Sequence, residues 1–199
     1  MKSMVVLPSG FILPREMAKE KGLPFAPLKK NKKDYYYDGC DWLESNNEKK
    51  AIYCFKKALE MDDEYVEAWN GLGTAYWFDN FEKAKEHILK AYDLTVKKFK
   101  WQWLSTLSWD ILENRQYLRA IYYYGLVLWR QGNNEKAIEL FKLLLKLNPN
   151  DNQGARYLVA SMYASQKWEE YAEYEEDIGK EDKLLDEMNK KYGFWNGEG

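Results

Sequence analysis

Residues 118–151, a stretch of 34, limit the possible folds more than any other part of the chain. They read as two short amphipathic helices joined by Gly132-Asn133-Asn134 and closed by Pro149. Gly125 falls where the two helices must approach closely, and Ala137, Phe141 and Leu144 fall three to four apart along one helical face. The same small and aromatic residues recur elsewhere at the same spacing. A hairpin this short cannot bury its own apolar face, so copies of it stack into a solenoid, and a solenoid presents a groove.

The register follows from residue numbers. Gly39 and Gly73 are 34 apart, as are Trp42 and Tyr76. Ala51, Phe55 and Ala58 return as Ala84, Ile88 and Ala91, and again as Ala137, Phe141 and Leu144. Gly125 lies 52 residues after Gly73, one repeat of 34 plus an insertion of 18. Leu158, Val159 and Met162 lie 34 after Tyr124, Gly125 and Leu128 and mark a fourth unit. In that unit Tyr171 and Glu175 take the places of Ala137 and Phe141, so its second helix is expected to be shifted or to act as a cap.

Trp69, Leu72, Gly73, Tyr76 and Ala84 in one unit, with Gly125, Ala137, Phe141 and Pro149 in another, resemble the tetratricopeptide repeat. Residues 113–162 also resemble a group of small prokaryotic members of that family, with no established activity implied. The resemblance implies an all-α, right-handed superhelical solenoid of about four helical hairpins. Some family members grip chaperone C-terminal carboxylates with a Lys and an Asn on the first groove helix. The corresponding places here hold Tyr36 and Cys40, and Thr74 replaces a second Asn, so that clamp is not carried over.

The insertion, residues 99–117, is apolar and free of Pro and Gly, which predicts a mostly helical segment packed on the solenoid. Trp101, Trp103, Leu104, Leu107 and Ile111 are its expected contacts. Ahead of the repeats, residues 1–33 form a basic, Pro-rich arm with eight Lys/Arg against two Glu, room for a short hairpin around Pro8-Ser9-Gly10, and Phe25 and Leu28 to pack along the solenoid. The expected organisation is that arm, a solenoid over 34–178, and an acidic C-terminal helix and tail over 179–199. The oppositely charged ends can be solvated separately or attract one another, within one chain or between two.

Little in the composition suggests catalysis. There is one histidine, His87, no phosphate-cradling glycine motif, and two cysteines, Cys40 and Cys54, without the spacing of a metal or redox pair. No metal, cofactor or catalytic residue is expected, and the chain reads as a nonenzyme. A net charge of −2 and lysine pairs without interleaved aromatics argue against nucleic acid. No run approaches the roughly 20 apolar residues of a membrane span, and the N-terminal apolar run is broken by Pro8. A cytoplasmic setting follows by elimination.

The first helix of each hairpin is expected to line the concave side. The candidate peptide-binding residues are Asn70, Thr74 and Trp77 in the second unit, Arg119, Tyr122, Trp129 and Arg130 in the third, and Arg156 in the fourth. Arginines beside aromatic rings suit a peptide bearing acidic groups. The competing expectation pairs Arg119 and Arg130 with Glu113 or Glu135 and covers the Trp rings with the insertion. A noncatalytic scaffold for a protein or peptide partner is the leading function, and a homo-oligomeric assembly unit is the alternative.

Overall fold

The computed structural model describes residues 4–24, 26–27, 29–99, 107–172 and 178–196. The N-terminal arm has structure of its own. β1 (Met4–Val6) pairs antiparallel with β2 (Ile12–Pro14) across the turn at Pro8-Ser9-Gly10, as the sequence suggested. A third strand, β3 (Ala26–Pro27), adds to the other edge of β1. Helix α1 (Arg15–Glu20) packs on β1 and β2, and Val5 and Ala18 are buried. Phe25 and Leu28, expected to hold the arm on the solenoid, lie outside the described residues.

Three helical hairpins follow. They are α2 (Lys32–Glu44) with α3 (Glu48–Met61), α4 (Val66–Tyr76) with α5 (Phe81–Phe99), and α6 (Leu112–Arg130) with α7 (Asn134–Leu147). A capping box starts α2: the Asn31 side chain accepts from the Lys33 and Asp34 N–H groups, and the Asp34 carboxylate accepts from the Asn31 N–H. Lys30 pairs with Asp38 and Lys32 with Asp62, so lysines at the end of the arm are bound to the first hairpin's own acids.

The repeat glycines do what the spacing predicted. A Cβ at Gly125 would lie 2.6 Å from the Phe141 ring, and one at Gly73 would lie 2.4 Å from Ile88. Gly39 and Gly71 both press on the Phe55 ring, where a Cβ would come within 2.5 and 2.6 Å. Phe55 is thus wedged between α2 and α4, and only a glycine at each contact lets the ring in. Along α3, α5 and α7 the matching alanines, Ala51, Ala58, Ala84, Ala91 and Ala137, are fully buried.

The insertion is described at its two ends, with 100–106 outside the described residues. Its two ends lengthen the neighbouring helices: α5 runs on to Phe99, and α6 starts at Leu112. Leu107–Ile111 between them is not helical. Leu107 is buried and its N–H bonds the Leu147 carbonyl, whereas Ile111 is exposed. Trp101, Trp103 and Leu104 lie outside the described residues.

The fourth unit departs from a hairpin, as its unusual second helix suggested. Helix α8 (Ala155–Tyr163) packs on α7, while the short α9 (Trp168–Ala172) turns back to α6. Helix α10 (Ile178–Tyr192) then packs on α8 and buries Leu185 and Met188. Asn189 holds the tail, donating to the Trp195 carbonyl at 2.7 Å and accepting from its N–H at 2.9 Å.

Successive first helices touch, α2 with α4 and α4 with α6, while the second helices make no comparable contact with one another. That inequality bends the stack, with α2, α4 and α6 on the inside of the curve. No helix among the described residues is long and apolar enough to cross a membrane.

Candidate functional site: the concave groove

The inner helices enclose a groove with two lobes. One, of about 280 Å³, is lined by Tyr36 and Cys40 on α2, by Glu67, Asn70 and Thr74 on α4, and by Arg119 and Tyr123 on α6. Phe55 and Gly71 also line it, so the close contact that spaces α2 from α4 also shapes the site. The other, of about 320 Å³, shares Tyr36, Cys40, Glu67 and Arg119 and adds Lys33, Glu113 and Arg115.

The wall of the first lobe is mostly uncharged. Tyr36 leans edge-on to Tyr65, with ring centroids 5.9 Å apart. Burial pushes the Tyr36 phenol and the Cys40 thiol above their ordinary pKa values, so both stay protonated at neutral pH. Burial also raises the Glu67 carboxyl, opposed by its own backbone N–H and by Lys32, Lys33 and Arg119. No ion pair joins Glu67 to Arg119; the Arg119 guanidinium lies over the Trp109 ring instead, 5.5 Å from its centroid. Asn70 ties α4 to α6 by donating to the Gln116 carbonyl at 3.0 Å.

Of the eight residues expected to bind peptide, the structure brings Asn70, Thr74 and Arg119 together in this groove. The other five serve packing. Trp129 is only 2% exposed and lies against Trp168 and Tyr171, so the expectation of a solvent-facing ring is corrected: α9 covers it. Arg130 donates to the Trp77 carbonyl at 2.9 Å and stacks over Phe81, so it satisfies the end of α4 rather than a carboxylate ligand. Trp77 itself packs edge-on to Phe81 and Trp168. Tyr122 packs on Phe141. Arg156 is held by the buried Asp151 at 3.0 Å and lies over Trp195. Neither Arg119 nor Arg130 pairs with Glu113 or Glu135.

Tyr36, Cys40, Glu67 and Tyr123 are groove residues that the list of candidates omitted. A signal for two of them was present, because Tyr36 and Cys40 occupy the clamp positions of the family resemblance. Among the described residues no three His, Cys, Asp or Glu side chains gather as a metal ion would require.

A stack of helical hairpins curved around a groove defines a fold of the α-solenoid class. A sequence profile described as Tetratricopeptide repeat matches residues 118–151. The crystal structure of MamA superposes with a TM-score of 0.51 at 19% identity, covering 91% of this chain and 87% of that one. The structure of YrrB, described as a TPR protein with an unusual peptide-binding site, is 18% identical over 90% of this chain and 93% of that one, with a TM-score of 0.31. No curated protein sequence matches. Residues 118–151 match one tetratricopeptide repeat, and the neighbouring hairpins continue the same stacked fold.

Proposed function

We propose that the chain is a noncatalytic interaction module that holds a segment of a partner protein in the groove between α2, α4 and α6. The observation that carries this reading is the groove wall itself. Three successive inner helices contribute to one cavity, and polar atoms on its wall lack partners within the protein. The half-buried Tyr36 hydroxyl and Cys40 thiol are protonated and unactivated, which suits recognition rather than nucleophilic chemistry.

An acidic ligand has less support than the arginine content suggested. Two of the three arginines behind that idea, Arg130 and Arg156, are engaged inside the protein. The test is binding of pooled hexapeptides by the purified full chain, compared with Thr74→Arg. Thr74 is exposed at the groove, so the substitution fills the site without disturbing the core. Binding that Thr74→Arg abolishes supports the module; binding that ignores it places the ligand elsewhere.

Self-assembly is the second reading. It is favoured by Ile12 on β2 and Phe11 just before it, 55% and 73% exposed, beside one of the two edge strands of the small sheet. Light scattering over a dilution series separates the two: a constant monomer mass removes the assembly reading.

A further inference from the structure

Two hydrogen-bond acceptors on the groove wall have no donor. Asn70 is 4% exposed, and its Nδ2 is committed to the Gln116 carbonyl, which fixes the orientation of the amide and leaves Oδ1 unpaired. Glu67 lies three residues earlier on α4, on the same helical face, and its buried Oε2 is also unpaired. Both residues line the lobe between α2, α4 and α6. Buried acceptors are ordinarily satisfied, so two together at a cavity mark a place where donors arrive from outside.

The chemistry of those donors follows from what each ligand class brings. A carboxylate brings none and is repelled by Glu67. A neutral amide satisfies Asn70 but brings no charge to oppose that of the half-buried Glu67. An ammonium or guanidinium group brings several donors and the opposing charge. The same lobe offers the rings of Tyr36 and Tyr123 to a cation, and Glu44 adds a second carboxylate at its edge. Arg119 is the lobe's one cation, and its guanidinium is drawn towards Trp109.

We propose that this lobe is a specificity pocket for a lysine or arginine side chain of the bound segment, with Glu67 Oε2 and Asn70 Oδ1 as its acceptors. The proposal rests on the groove reading above and adds the identity of the recognised group. The adjoining lobe, with Lys33, Arg115 and Arg119, carries the opposite excess of charge and receives a different part of the ligand.

The probe is a positional-scanning hexapeptide library presented to the full chain. The expected result is enrichment of Lys or Arg at one position, with the selected peptide bound roughly tenfold more tightly than its acetyl-lysine or citrulline counterpart. That comparison needs no variant of the protein. Glu67→Gln preserves side-chain volume and is expected to remove most of the tenfold ratio, while preferences at other positions persist. Selection of Asp or Glu, or indifference to acetylation, overturns the pocket while leaving groove binding intact. Absence of any peptide bound at millimolar concentration, or binding unaffected by Thr74→Arg, removes the groove reading and the pocket with it.

Discussion

A single methyl group decides whether the third hairpin closes. The Cβ of an alanine at Gly125 would meet the Phe141 ring at 2.6 Å, and Phe141 is fully buried with no free side to move into. Gly125→Ala is therefore expected to cost on the order of 1–3 kcal/mol by overpacking, read as a lower denaturant midpoint with an unchanged slope. At Glu67 the sign reverses. Partial burial raises the Glu67 pKa and leaves Oε2 without a donor, so the ionised form destabilises the free protein and Glu67→Gln is expected to raise the melting temperature at pH 7 by roughly 2–4 °C. A lower melting temperature for that variant would mean that Glu67 is stabilised within the free protein. His87 gives a third residue-scale outcome. It lies between the rings of Trp69 and Tyr76, at 5.5 and 5.6 Å, and its buried Nδ1 has no partner. Burial lowers its pKa, against Glu86 and with Lys56 and Lys83. The unfolded chain therefore takes up the proton first. Stability is present above the unfolded value of about 6.5 and is lost as pH falls through the lower folded value. Glu67, raised by burial, acts oppositely: its contribution is present at low pH and is lost as pH rises. The difference between the wild-type and His87→Phe melting profiles isolates the histidine, and that difference is expected to change only on the acid side of neutrality.

At the scale of elements, one aspartate organises the joint between the third and fourth units. Asp151 sits at φ +46° and accepts from the N–H groups of Ala155 and Arg156, at 2.7 and 3.0 Å, and from the Arg156 side chain. It therefore caps α8 and pairs with a half-buried arginine in one place. Asp151→Ala is expected to cost about 2 kcal/mol, between the loss of a cap and the loss of a buried ion-pair partner. Hydrogen exchange checks this, with faster exchange concentrated in α8. The joint also shows what the sequence made legible. Glycine and alanine spacing located the helix contacts because a close approach needs the same small residue each time, at Gly39, Gly73 and Gly125. The insertion was harder to read: among its described residues 112–117 extend α6 while 107–111 form no helix, and apolar periodicity does not register where a helix breaks. Trp129 was misjudged for a different reason. Its position on α6 leaves it open until α9, some forty residues later, folds back and lays Trp168 against it, a contact that no local pattern encodes. The same holds for Arg130, whose acceptor belongs to the preceding hairpin.

Across the whole molecule, the first helices converge and the second helices spread, so the curvature and the groove have the same cause. At the ends of α4 and α6, Trp77, Phe81, Trp129 and Trp168 pack into an aromatic cluster with Arg130 stacked within it. That leaves the space bounded by α2, α4 and α6 as the part of the inner surface that combines room with unpaired polar atoms. The central claim is that ligands enter there. Chemical-shift mapping of the isotopically labelled full chain, with and without a selected hexapeptide, tests it most directly. The account predicts the largest changes at Tyr36, Cys40, Glu67, Asn70, Thr74, Arg119 and Tyr123, with the signals of Trp129 and Arg156 nearly still. Changes centred on α3, α5 and α7, with the groove residues unmoved, would contradict it.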